Sequence, residues 1–523
     1  MSRNLRLQYS GLIIFSSQLI GVATGLIFTL LLTRNMAVAQ YGVWTNIFDY
    51  TAYFTIFSGL LPFWATRFVA RSKEGAAKTS TLAQLVISLI SMAIYFPVIF
   101  LIYTLAIAKR IGESYLPIFL IAGLYILTFY MITNFESILQ SVRPQALGYG
   151  FLIEEIVKVS VAFVLIVGFK QLFLGAVLAL VLSCFVQIGY YVSLLRDELK
   201  GKVNWGYLKE WLKGSTALAY NAIGGQLSSF TYILLFFYGG ANTRAYFQAA
   251  SSFTIVIGYS ISLSTALYPK LLARNCSKEQ VGDSFRTVMM MAIPLTAITF
   301  VMSISFLTIL KTAYGVAWPV LIAMSINTFI NTIYQFYYYC LAGIEAFDAE
   351  GKISMHHLVR SKIFKMFSLQ YIQAAISIPL AYFVLTMLPV AGSVKAAFYV
   401  IIILIGVQIS TFAVLYWLMR RAICVPIAWK SIAKYVLSAA VMAIILFLAP
   451  TTTTLLATIV KAIIGLGIYV ALLVAIDKQA RHLVRLISKE FRETMSQLTS
   501  KKQDENAFEN ENDAGKNGKS MST

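Results

Sequence analysis

The chain has 523 residues, of which 59% are hydrophobic and only 12% are charged. Because soluble globular chains carry about 25% charged residues, this composition excludes an ordinary soluble domain and indicates a membrane protein. The formal net charge of +20 needs no nucleic-acid partner, because basic loops beside anionic lipid headgroups account for it.

Apolar runs of about 20 residues, long enough to cross a bilayer, recur along the whole chain. We count fourteen and expect all of them to be helices, since lipid leaves no other partner for backbone amides. The first begins at residue 10 and is a retained helix rather than a signal peptide. The second covers 43–70 as one span, and the eighth begins near 246.

The loops between these runs predict the orientation of the chain. With the N-terminus placed in the cytoplasm, most of the 42 Lys and Arg residues fall on the cytoplasmic side, as the positive-inside rule expects. We therefore predict a multi-pass protein of the cell (plasma) membrane with both termini in the cytoplasm. The outer loops are too short to hold a catalytic domain, so we expect no enzyme activity and no catalytic residues.

The two halves of the chain have the same layout. A shift of 205 residues superposes Ser10 on Ser215 and Tyr41 on Tyr246, and the starts of the apolar runs stay in step. We predict an all-α fold of two six-helix lobes in parallel repeat plus one extra helix pair. The predicted units are an N-lobe (1–195), a cytoplasmic linker (196–213), a C-lobe (214–419), the extra pair (420–477), and a cytoplasmic amphipathic helix with a disordered tail (478–523).

Three short stretches resemble a known family. They are LLTRNMAVAQYGVWTNIFDY after the first helix, LPFWATRFVARSKEG at the end of the second, and QSVRPQALGYG before the fifth. They are similar to oligosaccharide-lipid flippases, the polysaccharide biosynthesis transporters of the multidrug/oligosaccharidyl-lipid/polysaccharide exporter superfamily. The resemblance implies two lobes around a hydrophilic cavity that opens alternately to each side. It also implies a monomer, and an extra helix pair beside a lateral opening for lipid tails.

A headgroup of sugars cannot cross hydrocarbon unaided, because each hydroxyl stripped of water costs roughly 2–7 kcal/mol. Charged residues within spans are therefore the candidates for its path. In the fifth helix, Glu154 and Lys158 have the spacing of a helical ion pair, which leaves Glu155 as a spare carboxylate. A plain interfacial role for all three residues is about as plausible as a role in the cavity.

Asp49 in the second helix is a candidate for ion coupling together with Glu155, or else an interfacial residue held by Asn46 or Tyr53. The ion would be H+ or Na+. Four further positions near the ends of spans are candidates for contact with the headgroup. Two of them, Glu136 and Asn134, end the fourth helix, and Glu136 is also a candidate partner for Lys158. The other two, Arg67 and Arg34, bracket the second helix as phosphate ligands or snorkelling residues. Lys461 is interpreted as structural.

The tenth helix places Asn327, Asn331 and Tyr334 on one face. Their side chains suit sugars, but helix packing is the favoured interpretation. No cofactor is expected, and no metal site is expected because the three histidines lie in predicted cytoplasmic segments. The four cysteines are expected to be free thiols.

These patterns leave two transport functions and one enzymatic function to consider. The preferred hypothesis is a flippase that moves a polyprenyl-(pyro)phosphate-linked oligosaccharide to the outer leaflet for cell-surface polysaccharide or glycoprotein synthesis. The alternative within the same fold is a cation-coupled exporter of small amphiphiles. A membrane-embedded glycosyltransferase is disfavoured by the short outer loops, and EGAAKTS at 74–80 lacks the spacing of a phosphate-binding loop.

Overall fold

The computed structural model of the chain describes residues 3–112, 115–264, 277–344, 362–389, 391–420, 426–477 and 480–481. Across these residues the regular structure is helical and no strand occurs, so the predicted all-α class is confirmed. Nine helices of the described part are long and apolar enough to cross a membrane, and two further apolar helices are shorter. The count of fourteen spans stays a prediction.

Most of the helices up to residue 194 pack mainly on one another, and we call the helices of this part of the chain the N-terminal group. The third and fifth apolar runs each contain a π-helical turn, at Tyr103–Ile107 and Phe163–Gly168. The helices are α1 (Arg3–Asn35), α2 (Val38–Phe54), α3 (Leu60–Ala70), α4 (Ala76–Ile102), α5 (Ala108–Ile111), α6 (Leu116–Ile121), α7 (Gly123–Val142), α8 (Gln145–Ala162) and α9 (Leu172–Leu194).

A short connecting helix, α10 (Trp205–Gly214), leads into a second set, the C-terminal group of α11 to α18. Two more helices, α19 and α20, form the extra pair. The bounds are α11 (Thr216–Ser228), α12 (Phe230–Gly239), α13 (Ala241–Gly258), α14 (Lys278–Val301), α15 (Ser303–Leu310), α16 (Trp318–Ile344), α17 (Lys362–Met387), α18 (Val394–Arg420), α19 (Trp429–Leu448) and α20 (Leu455–Ile476).

We expected the second apolar run to form one continuous helix, but the structure shows that it is broken. Its helix ends at Phe54 and restarts at Leu60, with turns between them. The Ser58 carbonyl in the break accepts a hydrogen bond of 2.6 Å from the Gln84 side-chain nitrogen, so a buried polar group is not left without a partner. A glutamine on α4 thus stabilises the break.

The extra pair is attached to the C-terminal group by polar contacts with α14. The Tyr469 hydroxyl donates to the Met290 carbonyl at 2.8 Å. At the end of α20, Asp477 accepts from Arg286 at 3.2 Å and from Lys434 at 3.1 Å. Burial disfavours the ionised Asp477 carboxyl, but the hydrogen bond from Lys434 and the charges of Arg286 and Lys434 prevail and lower its pKa.

The two groups meet along α2, which packs on α12 and α13. Gly42 makes this close approach feasible, because a Cβ atom there would lie 1.9 Å from the Ala241 carbonyl oxygen. The buried apolar residues of both groups form one cluster across this contact. The groups are therefore held together near the loops that join α1 to α2 and α12 to α13, and we call this end the predicted outer end.

Several predictions fall outside the described residues. They concern His356, His357, His482, Cys276, Cys424, and all but 480–481 of the predicted amphipathic helix and tail. Cys184 and Cys340 are buried thiols. Among the described residues no cluster of His, Cys, Asp and Glu has the geometry of a metal site.

Candidate functional site

A cavity of about 390 Å³ lies between the two helix groups. Its walls come from α1, α2 and α9 on one side and from α11, α12 and α13 on the other. The surface combines aromatic rings with hydroxyl and amide side chains, and among the described residues Asp49 and Arg244 are the charged ones that line it. The other lining residues are Phe28, Thr29, Leu32, Tyr41, Trp44, Thr45, Phe48, Ala52, Leu180, Gln226, Ser229, Tyr232, Gln248 and Ser252.

Asp49 and Arg244 form a two-pronged ion pair across the interface between the groups. Arg244 Nε and Nη2 each lie 2.8 Å from a different oxygen of the Asp49 carboxylate. The third nitrogen, Nη1, donates to Gln248 at 3.1 Å, and the guanidinium lies 5.2 Å from the centre of the Tyr232 ring. Such parallel bonds are among the strongest that protein side chains make. The pair is buried, so each charge depends on the other.

Two more bonds join the groups at the predicted outer end. Arg34 donates to the Ile309 carbonyl at 2.9 Å, and Lys311 donates back to the Met36 carbonyl at 3.0 Å. Each group thus supplies one cation to the backbone of the other. This contact places Arg34 in the closure of the two groups, whereas we expected a phosphate ligand or a snorkelling residue at this position.

A buried tyrosine completes this closure. Tyr41 and Tyr246 each pack edge-on against Tyr314, with ring centres 6.1 and 6.2 Å away. Tyr41 and Tyr246 are a pair that the shift of 205 residues superposes. The repeat detected in the sequence therefore brings equivalent residues of the two halves to one point in space.

The helical ion pair predicted in α8 is confirmed, since Lys158 Nζ lies 3.0 Å from Glu154. The expectation of a spare Glu155 carboxylate is wrong. Lys158 also binds Glu155 at 2.6 Å, and Thr24 of α1 donates to the other Glu155 oxygen at 2.6 Å. A residue three positions away on a helix is as near as one four positions away, so one lysine reaches both acids.

Glu136 and Asn134 on α7 face other helices of the N-terminal group. Glu136 accepts from Tyr191 at 3.3 Å and from Gln187 at 3.4 Å, so its partners are on α9 and not Lys158. Asn134 is fully buried, accepts from Ser80, and donates to Thr81 of α4 at 3.0 Å. Both polar ends of the Asn134 amide are therefore used in helix packing.

The remaining candidates lie away from the cavity wall. Asn331 on α16 accepts from Gln408 of α18 at 3.4 Å, which agrees with the favoured helix-packing interpretation. Tyr334 and the side-chain oxygen of Asn327 are buried. Arg67 donates to the Phe63 carbonyl at 3.1 Å and covers the Phe63 ring.

Of the eleven residues selected from the sequence, only Asp49 lines the cavity. Its expected partners, Asn46 or Tyr53, are wrong, because the Asp49 carboxylate is bound by Arg244 of the other group. Arg244 was missed because the eighth helix begins at Ala241 and not near 246, so this arginine was counted with a loop. Two opposite charges near the same predicted end of their helices were the signal that would have found the pair.

The architecture of this chain is similar to that of solved membrane transporters. A lipid II flippase, MurJ in an inward closed conformation, matches 91% of this chain and 99% of its own, with 15% identity and a TM-score of 0.65. The chain has the fold of the multidrug/oligosaccharidyl-lipid/polysaccharide (MOP) exporter superfamily. An inward-facing MATE-family multidrug resistance transporter matches 76% of this chain and 94% of its own, with 13% identity and a TM-score of 0.58.

Another transporter with the MOP fold, from Pyrococcus furiosus, matches 80% of this chain and 95% of its own, with 13% identity and a TM-score of 0.53. No family model matches the sequence, and no curated protein matches it either. At these identities the likeness establishes the MOP fold. The site residues have to be argued from this chain alone.

Proposed function

We propose that this protein is a flippase that moves a polyprenyl-(pyro)phosphate-linked oligosaccharide between leaflets, by alternate opening of the two helix groups. The observation that carries the proposal is the cavity between the groups, whose wall combines Trp44 and Tyr232 with amides, hydroxyls and Arg244. Sugars bind to aromatic faces flanked by hydrogen-bonding groups. A phosphate requires a cation, and a guanidinium matches its oxygens in pairs.

Arg244 is the residue we assign to the phosphate. In this closed arrangement two of its nitrogens are bound to Asp49 across the interface. Separation of the groups would release both of these nitrogens toward the cavity. The same arginine would then alternate between a carboxylate of the protein and a phosphate of the substrate, which couples binding to opening.

The closed interface also contains a group that favours separation. Both polar atoms of the Asn46 side chain are buried and make no hydrogen bond. Asn46 lies one helical turn from Gly42, on the face of α2 that approaches α13. An unpartnered buried polar group costs roughly 1–3 kcal/mol, which water would return when the groups part.

We assign ion coupling to the N-terminal group. Glu154 and Glu155 share the single ammonium of Lys158, so this trio carries a net charge of −1 when both acids are ionised. Uptake of H+ or Na+ would neutralise it, which supports Glu155 as a coupling residue. Asp49 gains the same role once Arg244 leaves it.

The test is translocation in proteoliposomes. A fluorescent lipid-linked oligosaccharide is placed in one leaflet, and its arrival in the other is followed with a quencher that cannot cross, with and without a proton or sodium gradient. We expect movement of the lipid that depends on the presence of the protein, on the sugar headgroup of the lipid, and on Arg244. Absence of movement across several headgroups would contradict the proposal.

A second function, cation-coupled export of small amphiphiles, is favoured by the cavity volume. At about 390 Å³ it is near the lower end of ordinary small-molecule sites, about 300–1,000 Å³. The MATE-family neighbours share the fold. Gradient-driven efflux of small cationic amphiphiles from the same vesicles, with no movement of lipid-linked sugar, would establish this function instead.

A further inference from the structure

The connecting helix α10 has four different faces. Around its axis, at 100° per residue, Tyr207 and Trp211 lie together, Trp205 and Leu212 lie together on the next sector, and Lys209 and Lys213 follow. Glu210 lies on the fourth. The order of the faces is thus aromatic, apolar, basic and acidic, which is more than a two-sided amphipathic pattern.

The aromatic face is fixed to the N-terminal group. Trp211 is fully buried, and its ring lies 5.3 Å from that of Phe68 on α3 and 6.1 Å from that of Tyr207. The same buried cluster contains Leu61 and Ala83. Phe68, which packs on Tyr207, lies in the last turn of α3, and Thr79, which binds Asn204, lies in the first turn of α4. The start of α10 therefore lies at the level where α3 ends and α4 begins.

The helix is also fastened at both of its ends. Asn204 caps it by accepting from the Gly206 amide at 2.9 Å, while the Asn204 amide donates to Thr79 of α4 at 2.9 Å. At the other end Trp64 of α3 donates to the Ser215 hydroxyl at 3.0 Å, immediately before α11. The helix therefore sits rigidly on one group and leads directly into the other.

The part of the chain that the structure describes leaves the apolar face of α10 largely uncovered. Trp205 is 62% exposed and Leu212 is 52% exposed, and they lie on the same side of the helix, two turns apart. Lys209 and Lys213 beside them are exposed as well. A large aromatic residue and a leucine exposed at the level of the span ends, next to lysines, match the chemistry of the boundary between acyl chains and headgroups.

We propose that α10 is a membrane-surface anchor that binds anionic phospholipid. Trp205 and Leu212 enter the upper acyl-chain region of the leaflet, and Lys209 and Lys213 contact the headgroup phosphates. Glu210, on the far side of the lysines, faces water. Because α10 is the segment that connects the two groups, anionic lipid holds the junction between them at the membrane surface.

The first test measures the depth of Trp205. The full chain and its Trp205→Phe variant are placed in phosphatidylcholine/phosphatidylglycerol vesicles, with or without lipids brominated near the top of the acyl chain. The fluorescence that the substitution removes should be quenched by the shallow bromines. If that component has the same intensity in brominated and ordinary vesicles, Trp205 faces water and the proposal is overturned.

The second test measures lipid affinity as the phosphatidylglycerol retained by the purified protein. The double variant Lys209→Gln/Lys213→Gln should bind it about fivefold more weakly per lysine removed, whereas Glu210→Gln should not weaken binding. The control is Lys200→Gln/Lys202→Gln, which removes the same charge from the same linker outside α10. An equal loss in the control would mean that charge alone, and not this helix, attracts the lipid.

Discussion

The N-terminal and C-terminal helix groups bury different polar chemistry. The N-terminal group uses ionisable side chains, in the Glu154, Glu155 and Lys158 trio and in Glu136. The C-terminal group uses amides, as where Gln373 donates to Gln408 at 3.2 Å. In its described helices the acids Glu279 and Asp283 lie in the first turns of α14.

This difference divides the work between the groups. Carboxylates can gain or lose a proton or a cation, whereas amides hold helices together at every pH. We therefore expect coupling residues in the N-terminal group and a fixed scaffold in the C-terminal group. Arg244 and Arg286 are exceptions, because each of these cations of the C-terminal group is paired with an acid outside that group.

Arg244→Gln should have the largest effect. It leaves the Asp49 carboxylate buried without its cation, and loss of one partner of a buried pair costs roughly 3–5 kcal/mol. We expect lipid-linked oligosaccharide translocation to fall about a hundredfold or more while folded protein is retained in detergent. Arg34→Gln is the control, because it removes a cation that joins the two groups outside the cavity. Equal rates for Arg244→Gln and wild type would remove Arg244 from the mechanism.

Glu155→Gln should separate coupling from packing. The glutamine retains the size of Glu155 and can still accept from Thr24, but it cannot take up a proton. We expect the translocation rate to fall about tenfold and to lose its dependence on an ion gradient, because the side chain can no longer bind a proton. The control variant is Gln373→Ala. It alters a polar contact of the C-terminal group and should leave the gradient dependence unchanged.

Asp477→Asn tests the tie between the extra pair and α14. The lowered pKa of Asp477 means that its ion pairs stabilise the fold above the carboxyl's ordinary pKa of about 3.9 and cease to do so as pH falls through the lower folded value. Thermal unfolding in detergent should show a loss of roughly 1–3 kcal/mol at pH 7. The difference from wild type should shrink below about pH 4; a constant difference would contradict the assignment.

Lys461→Ala should have the smallest effect. Lys461 Nζ donates to the carbonyls of Ala449 and Pro450 at 3.1 and 3.0 Å, which caps the end of α19. Water can replace these partly exposed bonds, so we expect a stability loss of about 0.5–1.5 kcal/mol and normal translocation. A large loss of translocation would give this lysine a role that its position does not explain.

The sequence predicted those features that depend on local pattern. Hydrophobic runs gave the helices, the spacing of Glu154 and Lys158 gave their ion pair, and the shift of 205 found Tyr41 and Tyr246, which meet at Tyr314. The first two follow from periodicity along one chain segment, and the third follows from the repeated layout of the two halves.

Features that depend on two distant segments were not predicted. Asp49 and Arg244 are 195 positions apart, and their contact depends on how α2 and α13 cross. The docking of Trp211 on Phe68 depends on the path of the connecting segment in the same way. A charge near the end of a helix reads as interfacial until the partner helix is known, which is why Arg244 was overlooked.

The claim that the cavity between the groups is the substrate path can be tested by photocrosslinking. A lipid-linked oligosaccharide with a diazirine on its sugar is irradiated in proteoliposomes, and the labelled peptides are identified by mass spectrometry. We predict labelling within α2, near Asp49, and within α13, near Gln248, and competition by unlabelled substrate. Labelling confined to the outer surfaces of α19 and α20 would contradict this account.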